Sequence, residues 1–232
     1  NNLRTTITLL DKILQHAVSC CIFSSTCAVY GLPHNVPIDE NHPLAPINPY
    51  GWSKYMIEQI LVDYSRAYDL RFLSLRYFNA AGADPQGEIG EDHTPETHLI
   101  PLILDVAKGR REILEVFGND YETADGSCVR DYIHVTDLAD AHVRGLEKLL
   151  ADSPGGFVNL GAGDGHTVLQ VIERAVAITG KEIPYNIVAR RPGDPAVLIA
   201  SNAKAGRTLG WKPTNSNLTK IIQTAWDWHR RM

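Results

Sequence analysis

No apolar run in this chain approaches the roughly 20 residues that a membrane-spanning helix needs, and no low-complexity segment or internal repeat stands out. Cysteine is scarce, with four in 232 residues at positions 20, 21, 27 and 128. Cys20 and Cys21 are adjacent on a predicted strand, where successive side chains point to opposite faces, so they are poor disulfide partners. Reduced thiols and a cytoplasmic location are the expectation. Basic clusters are missing too. The 22 Lys and Arg against 27 Asp and Glu give a net charge of −5, which argues against a nucleic-acid surface but leaves room for arginines gathered locally around phosphates. The nine histidines include no His-Glu-x-x-His helix, and no Cys-x-x-Cys pair occurs, so no metal site is expected. His93 and His98, in a loop with Glu91, Asp92, Thr94 and Glu96, read as a substrate-covering loop or solvated surface.

With 44% hydrophobic and 21% charged residues, the chain can bury a core, and its partner should be a small molecule. The strand-forming run Cys20 to Phe23 opens into Ser24, Ser25 and Thr26 before Tyr30-Gly31 ends the element. It reads as a buried parallel strand with hydroxyls at its C-terminal end, where open α/β sheets bind ligands. After a Pro- and Asn-rich stretch from Leu32 to Pro49 comes a helix that opens on Tyr50-Gly51-Trp52-Ser53-Lys54. A phenol and an ammonium at i and i+4 share one helix face, so Lys54 is expected to favour ionised Tyr50 and make it a catalytic base. An amphipathic helix surface offers such pairs for no chemical reason, so the pair gains meaning from its context.

That context is a series of ordered blocks: Phe23 to Gly31, Pro49 to Lys54, Leu75-Arg76-Tyr77-Phe78-Asn79, Val116 to Tyr121, Val129 to Val135, Asn159 to Gly163, and Arg190-Arg191-Pro192-Gly193-Asp194. Through them the chain resembles the extended short-chain dehydrogenase/reductase family, from Asn1 to its C-terminus. The stretch from Phe117 to His142 is most similar to the sugar-nucleotide 4-epimerases of that family. The resemblance implies an α/β fold: a doubly wound Rossmann-type parallel sheet, of which this chain would hold the C-terminal part, with a smaller α/β substrate-binding lobe. Residues 1–82 would be the second half of the NAD-binding domain, with returns near 137–149 and 157–161. Residues 83–136 and 162–232 would form the lobe.

The family binds NAD through a glycine-rich turn at a helix N-terminus, and no such turn precedes Asn1. About three βα units, roughly 90 residues, are expected to be missing, leaving a fragment inactive alone. Gly161-Ala162-Gly163-Asp164-Gly165 follows a strand-like run, but the fingerprint needs a glycine where His166 stands. It reads as a tight strand-to-helix turn.

The resemblance also implies NAD-dependent 4-epimerisation of UDP-glucose and UDP-galactose through a transient 4-keto sugar. Tyr50 would remove the 4-hydroxyl proton, assisted by Lys54, and Thr26 would hold the 4-oxygen. Asn1, Ser24, Tyr50, Lys54, Tyr77 and Phe78 match cofactor-binding positions. Thr26, Asn79, His98, Leu99, Val116, Phe117 and Tyr132 match substrate-lining ones. Arg130 and Arg191 suit the pyrophosphate, because guanidinium forks match phosphate oxygens, and Asp194 the uridine ribose. His98 stands where many 4-epimerases carry Asn, and Leu198 where some carry a bulky aromatic that limits the sugar pocket. Other readings are a UDP-N-acetylglucosamine 4-epimerase, a UDP-glucuronate epimerase or decarboxylase, and a non-catalytic sugar-nucleotide-binding fragment. A 4,6-dehydratase is disfavoured because Cys27 and Ala28, not acids, follow Thr26. The family analogy implies a homodimer.

Overall fold

The computed structural model describes residues 2–232. The elements run α1 (Asn2–Gln15), β1 (Cys20–Ser24), a 3-10 turn (Cys27–Val29), α2 (Pro49–Tyr68), β2 (Arg71–Tyr77), β3 (Asn79–Ala81), α3 (Leu99–Ala107), β4 (Leu114–Phe117) and β5 (Val129–His134). There follow α4 (Val135–Leu150), β6 (Gly155–Leu160), β7 (Gly165–Thr167), α5 (Val168–Thr179), β8 (Tyr185–Val188), β9 (Val197–Leu198), α6 (Ala203–Leu209) and α7 (Leu218–His229). The chain folds as two compact units. The first takes the residues up to Tyr77, Ala139–Leu160 and Ala200–Lys212; the second takes Phe78–Leu138, Gly161–Ile199 and Pro213–Met232.

The first unit is built on a three-stranded parallel sheet ordered β1-β2-β6. Parallel strands need crossover connections, and α2 supplies the one from β1 to β2. Leu10 of α1, Ile57 and Leu61 of α2, and Leu70 and Phe72 form its buried cluster, against which Phe23 and Phe157 pack. Residues 200–212, expected in the substrate lobe, belong to this unit instead. Their anchor is a parallel bridge between Ile38 and Ala200, with Ser201 N donating to Ile38 O at 2.8 Å, and Trp211 is fully buried. Residues 78–82, expected with the nucleotide domain, fall in the second unit.

In the second unit β5 pairs in parallel with β3 and β9 and antiparallel with β7, while β4 and β8 form a separate parallel pair. Helices α3, α5 and α7 close the core through Ile103, Leu104, Val171, Ile172, Ile221 and Ile222. Helix α5 starts on a capping box, in which Thr167 and Gln170 satisfy each other's backbone N–H. It ends at Gly180 in the left-handed conformation.

Helix α1 stops at Gln15, because Ala17 turns left-handed at φ 53°. The four cysteines carry free thiols. Burial, with Cys20 beside it, pushes the Cys21 thiol up to about 11, so it stays protonated and inert. Among the described residues no helix is long and apolar enough to cross a membrane.

Candidate active site

β1 ends at Ser24, and the chain runs extended through Thr26 into the 3-10 turn. The Thr26 hydroxyl caps that turn by accepting from Ala28 N at 3.2 Å, which leaves its own O–H free to donate. Helix α2 begins at Asn48, whose side-chain oxygen accepts the Gly51 N–H at 2.8 Å, and Pro49 fills the first helical position, where no N–H is needed. Tyr50 therefore stands in the first turn of α2, at the positive end of the helix dipole. Gly51 is what draws that turn in. A Cβ there would lie 2.5 Å from the Ala28 carbonyl oxygen, so only glycine lets α2 press against the turn that Thr26 caps.

Tyr50, Lys54 and Glu58 are spaced by four and share one face of α2. Each meets one residue of the strand end. Lys54 Nζ donates to the Ser24 carbonyl at 2.8 Å, Ser25 Oγ donates to Glu58 Oε1 at 2.7 Å, and the Thr26 hydroxyl lies near enough to the Tyr50 phenol to favour its phenolate. Lys54 Nζ lies 5.7 Å from the Tyr50 ring centroid and 4.9 Å from that of Phe23. Ser24 Oγ meets His142 Nε2 at 3.2 Å, and Tyr77 closes β2 in the same unit. Asn1 lies outside the described residues.

The electrostatics correct one expectation. In the chain by itself the Tyr50 phenol is held above its ordinary pKa, not below it. Desolvation of the hydroxyl end dominates, Tyr77 and Cys27 add to it, and only the nearby Thr26 hydroxyl acts the other way. Lys54 is pushed down by burial. Its ammonium is aimed at the Ser24 carbonyl and not at the phenol oxygen, so the sequence spacing gave the neighbourhood but not the sign of the shift.

In the second unit Arg130 is almost buried, with 11% of its side chain exposed. Its guanidinium donates to Val129 O at 2.8 Å, Pro195 O at 2.9 Å and Asp194 Oδ1 at 2.9 Å, so much of the fork expected to grip phosphate is already engaged. Arg191 is exposed and stacks 4.3 Å above Phe117, with its Nε 3.3 Å from Asp194 Oδ2. That approach lacks hydrogen-bond geometry, and Asp194 Oδ2 is a buried acceptor with no hydrogen bond. Leu198 of β9 is in register with Arg130 of β5. Asn79 Nδ2 donates to Asp131 O at 2.8 Å. Phe78, Val116 and Tyr132, expected to line ligands, are buried; Val116 and Tyr132 belong to this unit's core, and Leu99 packs on it.

His98 Nδ1 is 2.6 Å from Glu91 Oε1 and 3.0 Å from Glu96 Oε1, so its ring is tethered by its own loop. His93, Glu96 and His98 bring donor atoms within 4.8 Å of one another. Glu96 Oε1, however, already accepts the Thr97 and His98 backbone N–H groups at 2.6 and 2.7 Å. The Gly161 to Gly165 turn is closed in a similar way. Asp131 accepts from Ala162 N at 2.8 Å and Gly163 N at 3.1 Å, so those amides already hold a carboxylate and do not form a phosphate cradle.

A parallel sheet whose strand end presents hydroxyls to a Tyr-x-x-x-Lys helix defines a nucleotide-dependent enzyme class. The chain belongs to the NAD dependent epimerase/dehydratase family, whose model matches residues 1–161. It is 53% identical to a UDP-glucose 4-epimerase of Halalkalibacterium halodurans, over 99% of this chain and 69% of that protein. Among solved structures, a UDP-glucose 4-epimerase from Brucella ovis in complex with NAD superposes with a TM-score of 0.95 at 48% identity, covering 98% of this chain and 70% of that one. One from Bifidobacterium longum in complex with NAD+ and UDP gives 0.93 at 41% identity, covering 100% and 69%.

The sequence alone assigns no individual role to Ser25, Glu58, Arg76 or Gly51. For Glu58 the signal was present, since it continues the four-residue spacing from Tyr50 and Lys54. For Gly51 nothing in the sequence marks the approach of Ala28.

Proposed function

We propose that this chain acts in the NAD-dependent interconversion of UDP-glucose and UDP-galactose through a transient 4-keto sugar. The observation that carries the reading is the Thr26–Tyr50 hydroxyl pair backed by Lys54, with relatives of that name spanning almost the whole chain. The residues present fit a nicotinamide cofactor by donor chemistry. Lys54 spends one of its three N–H groups on Ser24 O, which leaves donors beside a phenol that is half exposed. NAD, when bound, supplies the hydride acceptor and a positive charge.

Thr26 orients the sugar 4-oxygen. Tyr50, once ionised, takes the 4-hydroxyl proton as the C4–H bond breaks and the C4=O bond forms. The keto sugar, turned over about its pyrophosphate link, regains hydride and proton on the other face, which inverts C4. Arg191 and the remaining N–H groups of Arg130 hold the pyrophosphate, and Asp194 Oδ2, an acceptor without a hydrogen bond, takes a ribose hydroxyl. Ser24, Tyr77 and Phe78 are assigned to the cofactor, and Asn79, His98, Leu99, Val116, Phe117 and Tyr132 to the substrate. A cytoplasmic homodimer is the working assembly.

The test is conversion of UDP-galactose to UDP-glucose with added NAD. It is run on this chain and on this chain joined to the portion of the Halalkalibacterium relative that it does not match. Leu198, a smaller residue where some 4-epimerases carry a bulky aromatic, favours one second reading, acceptance of UDP-N-acetylglucosamine. Turnover of that sugar at comparable efficiency would replace the restriction to UDP-glucose and UDP-galactose. UDP binding with no turnover of any UDP-sugar by either protein would leave a binding module.

A further inference from the structure

We infer that Glu58 is a positioning residue for the Thr26–Tyr50 pair, acting through Ser25; the inference rests on the reading of Tyr50 as the base. The helix face and the strand end meet as three rungs: Lys54 with Ser24, Glu58 with Ser25, and Tyr50 with Thr26. The outer two are partly open, and Tyr50 is 50% exposed. In such a place a single hydrogen bond contributes little and fixes little. The middle rung is different, for Glu58 and Ser25 are both 0% exposed.

Glu58 is itself held hard. Its Oε1 accepts from Ser74 Oγ at 2.8 Å and Arg76 Nε at 2.9 Å, and its Oε2 accepts from Arg76 Nη2 at 2.6 Å. Arg76 is in turn fixed by the Tyr30 hydroxyl at 3.1 Å and by the Phe157 ring at 4.5 Å. Tyr30 OH donates on to Asn159 Oδ1 at 2.7 Å. The carboxylate that binds Ser25 is therefore tied to β2 directly and to β6 through Tyr30. One helix face thus carries the base, the ammonium and the group that locks the neighbour of Thr26.

Stability alone does not call for this arrangement. A buried ion pair can usually be replaced by apolar side chains of similar volume without loss. What an apolar pair cannot do is accept the Ser25 O–H at a defined point. With that acceptor removed, the Ser24–Thr26 segment keeps its backbone bond from Ser25 N to Leu75 O at 2.9 Å and the Lys54 bond to Ser24 O but loses its one fully buried tie to α2, and the Thr26 hydroxyl drifts from Tyr50.

The experiment follows the Tyr50 hydroxyl directly, in the chain as it stands, with no substrate or cofactor. Ring-13C tyrosine is incorporated, the Tyr50 resonance is assigned by its loss in Tyr50→Phe, and its titration is compared in wild type, Ser25→Ala, Glu58→Gln and Thr26→Val. The Thr26 hydroxyl favours the phenolate, so Thr26→Val is expected to raise the Tyr50 pKa. Ser25→Ala and Glu58→Gln are expected to raise it toward the same value, by about half a unit or more. Ser25→Ala leaves Glu58 its Ser74 and Arg76 partners, so it carries the decision if Glu58→Gln fails to fold. A folded Ser25→Ala in which Tyr50 titrates as in wild type, or lower, overturns the inference whatever its stability. Failure of the wild-type protein to convert UDP-galactose counts against the proposed function and leaves this titration untouched.

Discussion

At the scale of single residues, the site depends on one oxygen and on one missing carbon. Tyr50→Phe keeps the ring and its packing but removes the atom that takes the proton. Turnover of UDP-galactose should fall by about 10² to 10⁴-fold, the usual share of general acid–base catalysis, with UDP affinity by calorimetry unchanged. Near-normal turnover would remove Tyr50 from the role of base. Gly51→Ala tests the missing carbon. In an exposed helix the change would favour the helix by about 1 kcal/mol. Here the added Cβ meets the Ala28 carbonyl at 2.5 Å and must push α2 away from the turn capped by Thr26. A misplacement of about 1 Å costs about 100-fold in rate, so turnover should collapse while far-UV circular dichroism stays native. A fully active Gly51→Ala would show that the close approach is not needed.

At the scale of elements, α4 shows how one carboxylate organises a loop. Asp137, in its first turn, accepts from Ser216 Oγ at 2.6 Å, Asn215 Nδ2 at 2.7 Å and Asn215 N at 2.8 Å. Burial alone would raise its pKa, but these donors outweigh it and hold the carboxyl below the ordinary aspartate value. With a folded pKa below the unfolded one, the unfolded chain binds more protons in the window between them. The stabilisation is therefore complete above about pH 4 and is lost as the pH falls through the depressed value. Asp137→Asn should cost about 1–3 kcal/mol in denaturant unfolding at pH 7 and flatten the fall in stability below pH 4. Part of that fall should persist, because Asp125 is depressed as well by donors that include Thr167 and Ser127. An unchanged acid limb would assign the pH dependence elsewhere. Elements of this kind were only partly legible in the sequence. The terminal helix from Leu218 to His229 is long enough for its apolar spacing to be legible. Strand β7 and helix α6 were not, since three and seven residues carry too little periodicity to stand out.

At the scale of the whole molecule, each unit is assembled from three separate stretches of chain, and this explains what could and could not be read. The nucleotide-domain motifs were visible because each is local: the hydroxyls after Phe23 and the Tyr50–Lys54 spacing. The membership of 200–212 was not, because it is decided by partners at Ile38 that no local pattern encodes. Likewise, the raised Tyr50 pKa follows from burial and Tyr77, which spacing alone does not reveal. The same discontinuity makes the division at Gly82 testable. A fragment of residues 1–82 retains β1, α2 and β2 but loses β6, leaving β2 as an open edge with unpaired backbone groups. It also takes Asn159 from Tyr30, Phe157 from Phe72 and Arg76, and the Leu149 carbonyl from Arg71. Arg76 and Glu58 would then be an ion pair stripped of part of its cover, and Tyr30 a buried hydroxyl short of an acceptor, each costly to keep folded. The fragment should therefore show no cooperative thermal transition by circular dichroism, whereas the full chain should. A cooperative melt of 1–82 would mean that the β1-α2-β2 segment holds the Tyr50 site without β6, and that the buried network around Arg76 is not what fixes it.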